Sequence, residues 1–235
     1  MEPHSTVSRE EWLVARRALL TEEKAFTHAR DELNRKRLAL PWVKLDKTYT
    51  FDGPNGNVTL ADLFKGKSQL VVQHFMFAPD WNEGCPHCSF WADNFDGIVV
   101  HLRHRDAAFV AISRAPFGKL EAFRKRMGWT FPWVSSDDSD FNFDYGVAFR
   151  PETLAKGAKS YNYGTQAPGF SDREGMSVFL KDAEGGIFHT YSAYSRGIDI
   201  LNTAYNYLDL APRGRDEGAL EFTQSWVRYH DRYED

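Results

Sequence analysis

Only two cysteines occur in the 235 residues, so no framework of structural disulfides can staple this fold. Long apolar runs are also missing: nothing approaches the roughly 20 consecutive apolar residues of a membrane-spanning helix. Basic residues are not in excess, with 29 Lys and Arg against 33 Asp and Glu and a formal net charge of −4. That balance argues against a non-specific nucleic-acid binder, which would usually be basic. Neither nucleic acid nor membrane is therefore expected as a partner. There is no G-x-S-x-G, no phosphate-binding P-loop and no dinucleotide fingerprint, and no internal repeat or low-complexity segment. The opening MEPHSTVSREEW is polar and carries acids where a signal peptide would have a basic and then an apolar region. A cytoplasmic location is the expectation. In that compartment a lone cysteine pair points to catalysis or metal binding before it points to a staple.

What the chain does have is core material. Hydrophobic residues make up 42%, and 18 are Phe, enough to bury a sizeable interior. Ser8 and Glu11 form a capping-box pattern ahead of Trp12, Leu19, Phe26 and Leu33, which recur every seven residues. One long helix is predicted over 9–38, stopped before Pro41. Its four apolar positions suit a packing stripe or the seam of a homodimer. The remaining heptad positions are not consistently apolar, which favours the stripe. A hairpin is predicted around DGPNG, 52–56, followed by a short helix capped by Thr59. QLVVQHFMF (69–77) and AAFVAIS (107–113) read as strands buried on both faces. Residues 117–127 read as an amphipathic helix, with Arg124, Lys125 and Arg126 on its solvated side. FPWVSS (131–136) is a third short strand, and 150–175 a Gly- and Pro-rich excursion. Strands over 177–181 and 187–191 make a hairpin. Ile198, Leu201, Tyr205 and Leu208 mark a last amphipathic helix before a charged tail.

Both cysteines lie in GCPHCSFWADNFDG, 84–97. A buried strand, then C-x-x-C, then a helical pattern supports thiol redox chemistry. Pro86 suits a first helical turn. Cys85 would sit at the helix start, where free N–H groups favour its thiolate, and a cationic His87 would add to this. Lowering a thiol pKa by ~1.5 is worth ~2 kcal/mol and raises the thiolate from a few per cent at neutral pH to about half. Cys88, one turn in, would be more buried and would resolve a mixed disulfide. Glu83 would oppose the trend if it faced Cys85. Two other readings stay open. Cys85, Cys88, His101 and His104 spell C-x2-C-x12-H-x2-H, close to a zinc-finger pattern but one residue short at the end. The cysteines could also be inert core residues. Trp81 and Trp91 bracket the pair, as core packing or as an apolar rim around the sulfur. His74, His189 and His230 stand alone and read as structural histidines.

SRAPFGKLEAFRKRMGWTFPWVSSDDSDFNFDYGV and VTLADLFKGKSQLVVQHFMF resemble the peroxiredoxin and thiol-reductase branch of the thioredoxin superfamily. HFMFAPDWNEGCPHCSFWADNFDG, SRAPFGKLEAFRKRMGW and YNYLDLAPRGRDE more closely resemble the bacterial DUF899 family, over about Val7 to Glu217. The resemblance implies a thioredoxin-like α/β fold and no substrate. Two departures matter. The cis-proline that faces the cysteines in thioredoxin-like proteins has no counterpart, since Met176 or Ser177 falls there and a trans bond is expected. Peroxidases also carry Thr or Ser three residues before the nucleophile, where this chain has Asn82, so a standard peroxiredoxin site is absent. Cys-Pro-His-Cys is, locally, the tetrad of the periplasmic disulfide oxidants.

The expected organisation is a helical extension over 1–40, a thioredoxin-like domain with a central sheet flanked by helices over 41–210, and a tail over 211–235. The expected activity is dithiol–disulfide oxidoreduction with Cys85, Cys88 and His87 as catalytic residues. Trp81, Pro86, Met176 and Ser177 are the expected substrate-binding residues, and protein or small-molecule thiols and disulfides the partners. No cofactor and no metal are expected. The alternatives are a metal- or ligand-binding protein without turnover, and an enzyme of specialised metabolism on the same fold.

Overall fold

The computed structural model describes residues 4–234. The chain forms two compact units, one ending at Pro41 and the other beginning at Trp42. The first is helix α1, Arg9–Leu38. Its capping box is formed: the Glu11 amide donates to Ser8 Oγ at 3.2 Å while Ser8 N donates to Glu11 Oε2 at 2.9 Å. Acidic residues in the first turn and Arg35, Lys36 and Arg37 in the last complement the helix dipole. No residue of α1 is buried, and Trp12, Leu19, Phe26 and Leu33 are all exposed.

The second unit is an α/β sandwich on an eight-stranded sheet. The strands are β1 Val43–Lys44, β2 Thr50–Gly53, β3 Gly56–Thr59, β4 Gln69–His74, β5 Ala107–Ser113, β6 Trp133–Ser135, β7 Gly175–Lys181 and β8 Ile187–Tyr194. Their order is β1-β8-β7-β4-β5-β6-β2-β3. β4 and β5 run parallel, as do β5 and β6, while β7 joins β4 antiparallel and β8 continues as the other arm of a hairpin. A parallel set extended by an antiparallel hairpin, with C-x-x-C issuing from the strand at their junction, is the thioredoxin-like arrangement. Every residue of β5 is buried, as its unbroken apolar run requires.

Helices cover both faces. On one side lie α3 Pro86–Ala92, α4 Phe95–His104 and α5 Phe117–Arg126, packed through Trp91, Phe95, Val99, Leu120 and Phe123 against Phe75, Phe109 and Ala111. On the other, α2 Leu60–Leu63 and α6 Phe141–Asp144 supply Leu60, Leu63 and Phe141 to a core with Leu70, Val72, Val110, Ile112 and Phe179. The two clusters follow the strand alternation.

Where the structure departs from the sequence reading, the reasons are local. β4 ends at His74, three residues before the apolar run does, because 75–78 leave the ladder to enter the cysteine loop. The last predicted helix is broken into a 3-10 turn, Ser195–Leu201, and α8, Thr203–Leu208. Buried Asn202 caps α8 by accepting from the Tyr205 amide at 2.9 Å and so prevents one continuous helix. Within the excursion, α7 Pro151–Ala155 forms behind Arg150. Asp172, 1% exposed, accepts both a 3.0 Å and a 2.6 Å bond from Arg114, just past β5. The tail packs into the second unit, with Val227 and Tyr229 buried.

The isolated histidines are structural. His74 Nε2 is 2.8 Å from Ser177 Oγ, Ser177 Oγ 2.8 Å from Ser192 Oγ, and Ser192 Oγ 2.7 Å from His189 Nε2. Burial holds His74 neutral, its pKa lowered to about 3. His230 Nδ1 lies 2.6 Å from Asp93.

Candidate functional site

After β4 the chain runs buried through Phe75, Met76, Phe77 and Ala78, then loops to Cys85. The loop is pinned from several sides. Lys119 donates to the Pro79 and Trp81 carbonyls at 2.7 and 2.9 Å. The Cys85 amide returns to the Met76 carbonyl at 2.9 Å. Glu83 is held by Arg126 and Arg232, each at 2.5 Å, so its charge is neutralised and does not oppose a Cys85 thiolate. Gly84 is required by packing: a Cβ there would stand 2.6 Å from Phe75 Cε1 and 3.0 Å from Phe123 Cε1. Gly84→Ala should therefore cost about 1–3 kcal/mol, as overpacking does, read as a lower midpoint in thermal unfolding.

Cys85 is the N-cap of α3, and Pro86 opens the helix where no amide is needed. Cys88 follows one turn later. Both cysteines are free thiols, and both are buried, at 8% and 5% exposure. The expected difference in burial is slight. What separates them is charge. Cys85 is held well below the ordinary thiol range, first by the hydrogen bond from the Cys88 thiol and then, against the cost of burial, by His87 and the Cys88 amide. Cys88 is pushed well above that range by the same bond and by burial, while its sulfur also accepts from the Met76 amide at 3.4 Å. The dominant influence on Cys85 is thus the neighbouring thiol.

His87 is turned toward the sulfurs and not outward from the helix turn. Its ring lies in the pocket wall, edge-on to Phe222 with centroids 6.3 Å apart, and the Cys85 sulfur and the Gln224 carbonyl are its polar neighbours. Both partners are acceptors, so the cationic ring is favoured and its pKa is raised, with the Cys85 bond as the leading cause.

The pair lies at the bottom of a pocket of about 750 Å³. Trp81, Pro86 and Trp91 line it, as do Arg173, Glu174 and the tail residues Phe222, Gln224 and Tyr229. Trp91 serves also as core, donating to the Ile198 carbonyl at 3.2 Å. Met176 and Ser177 are not in the wall. Met176 packs against the cysteine-side core, and Ser177 faces the opposite side of the sheet, in the His74 chain. The strand alternation that places Met176 on one face puts Ser177 on the other. The wall position just ahead of β7 is taken by Glu174, which adds a charge beside His87 and Cys88. All peptide bonds among the described residues are trans.

The tail adds contacts to the site that its charged sequence does not announce. Glu217 accepts from Tyr205 Oη at 2.6 Å, the Gln224 amide at 2.9 Å and Trp226 Nε1 at 2.8 Å. Tyr229 donates to the Gly84 carbonyl at 2.6 Å. The one signal available was Phe222, Trp226 and Tyr229 standing among charged residues. His101 and His104 end α4, exposed, and among the described residues no group of three or more His, Cys, Asp or Glu could hold a metal ion.

A family model described as bacterial protein of unknown function, DUF899, matches residues 1–233. The chain belongs to the DUF899 family. Among solved structures, this DUF899 chain is similar to peroxidoxin BcpB from Mycobacterium tuberculosis, at 16% identity over 66% of this chain and 89% of that one, TM-score 0.44. It is similar to peroxiredoxin Q from Xanthomonas campestris, at 16% identity over 70% and 91%, TM-score 0.45. A hypothetical protein from Sinorhizobium meliloti matches at 17% identity over 63% and 68%, TM-score 0.38. Among curated proteins none matches the chain. No helix among the described residues is long and apolar enough to cross a membrane.

Proposed function

We propose that this DUF899 protein is a dithiol–disulfide oxidoreductase in which Cys85 is the nucleophile, Cys88 the resolving thiol and His87 the cation that favours the Cys85 thiolate. The observation that carries the reading is the pair of buried free thiols at the start of α3, Cys85 as its N-cap and Cys88 one turn on, lining one pocket together with His87. One thiol is poised to ionise and the other to keep its proton, which is the asymmetry that exchange needs. The Cys85 thiolate attacks one sulfur of a disulfide, whose S–S bond breaks and whose leaving thiolate takes up a proton. Cys88 then loses its proton and attacks Cys85 Sγ, releasing the second thiol and closing the Cys85–Cys88 bond. Two electrons pass from the dithiol to the substrate, and a reducing dithiol resets the pair.

The test is oxidation followed by peptide mapping, together with the rates of alkylation against pH. A reversible Cys85–Cys88 disulfide is expected. Cys85 should alkylate along a curve whose midpoint lies below the ~8.5 of an ordinary thiol, and Cys88 only in alkali. His87→Ala should raise that midpoint by about one unit and slow alkylation by about tenfold at pH values below it, with the difference vanishing once the pH exceeds the midpoint of the variant. Two unlinked thiols after oxidant, or equal alkylation curves, would overturn the proposal.

A further inference from the structure

We infer that the substrate of this site is a low-molecular-weight disulfide with an apolar body, and not the disulfide of a protein. The inference rests on the dithiol reading and adds the class of molecule that can reach the sulfur. A sulfur exchanging with Cys85 must approach Cys85 Sγ along the axis of the bond it breaks. Cys85 is 8% exposed, and the pocket above it is bounded on one side by the tail, through Phe222, Thr223, Gln224 and Tyr229. A protein disulfide brings two backbones with it, and these cannot enter unless that wall leaves.

The wall is tied down along its length. Besides the Glu217 and Tyr229 bonds, Arg126 forks onto Asp231 at 2.8 Å through both Nε and Nη2. Arg232 holds Glu83, and His230 holds Asp93 at 2.6 Å. His87 stacks edge-on with Phe222 at 6.3 Å. These ties join the tail to the cysteine loop itself, so loosening the tail disturbs the nucleophile's own setting.

The volume and lining define what fits. About 750 Å³ is within the range of small-molecule pockets and far more than a diatomic oxidant needs. Met76, Trp81, Trp91, Ile198, Phe222 and Tyr229 form an apolar wall. The acids and bases among the lining are largely matched, Glu83 with Arg126 and Arg232, Arg173 with Glu174, and Arg196 with Asp199. An apolar body gains from this wall, whereas a net charge finds no unmatched partner.

The experiment uses the full chain in its reduced form. It compares the second-order oxidation rates by dithiodipyridine (neutral and aromatic), hydroxyethyl disulfide (neutral and polar) and insulin. Each rate is divided by that of dithiothreitol with the same disulfide, which removes intrinsic reactivity. The normalised rate for dithiodipyridine should exceed that for hydroxyethyl disulfide by about tenfold, as burial of an aromatic ring allows, and that for insulin by about 100-fold or more. Phe222→Ala, at a half-exposed position, should narrow the aromatic preference several-fold. Insulin reacting as well as the aromatic probe would overturn the inference and leave the dithiol reading standing. An aromatic preference that is absent, or unchanged in Phe222→Ala, would overturn its apolar part. Failure of all three oxidants to link Cys85 to Cys88 would overturn both readings together.

Discussion

Cys85→Ser is expected to abolish disulfide exchange, with turnover falling by about 10⁴-fold or more, the scale seen when a covalent nucleophile is deleted. The substitution removes the only thiol whose surroundings favour its ionised form: the Cys88 hydrogen bond and the His87 ring are both directed at Cys85. The fold should be undisturbed, since serine is slightly smaller and the N-cap position accepts it well. Cys88→Ser should behave differently. The first attack still occurs, although more slowly near neutral pH, because the neighbouring thiol is the leading stabiliser of the thiolate. The mixed disulfide on Cys85 then has no resolving thiol and accumulates. Intact-mass spectrometry after incubation with a small disulfide distinguishes the variants: an adduct on Cys88→Ser and none on Cys85→Ser. An adduct on Cys88 in the Cys85→Ser protein would reverse the roles.

The second large effect is on stability. Arg114→Met should cost about 3–5 kcal/mol, the range for breaking a buried ion pair and leaving one charge uncompensated. Asp172 is 1% exposed, and Arg114 meets it with two bonds, at 3.0 and 2.6 Å. Only the Ser171 hydroxyl, at 3.0 Å, remains to it after the substitution. Arg114→Met combined with Asp172→Leu should recover most of the loss, because removing both charges also removes the cost of burying one. Urea denaturation of the single and double variants measures this. A single variant within about 0.5 kcal/mol of the wild type would put the pair in the class of exposed bridges. The pair also fastens the end of the 150–175 excursion beside β5, and with it the Arg173 and Glu174 wall of the pocket.

The elements were legible where the pattern was local. The capping box of Ser8 and Glu11, the apolar runs of β4 and β5, the DGPNG turn and the proline after Cys85 each depend on neighbours a few residues away. Such neighbours are present in the sequence itself. Legibility failed where one residue's partner lies far along the chain. Nothing near Gly84 announces that Phe75 and Phe123 leave no room for a Cβ.

The sequence alone determined the class of fold and where to look: a thioredoxin-like α/β chain with C-x-x-C issuing from a buried strand. It also led to the expectation that Cys85, at the helix start, is the more acidic thiol. Tertiary structure decided how. The 145-residue span from Gly84 to Tyr229, closed by one 2.6 Å bond, brings the tail over the cysteines and buries both. It turns His87 inward between Cys85 and Gln224. The half-turn between successive residues of β7 sends Ser177 away from the site, and Glu174, just ahead of β7, lines the pocket. Period and capping are properties of a segment, whereas burial and the direction of a side chain are properties of what packs against it.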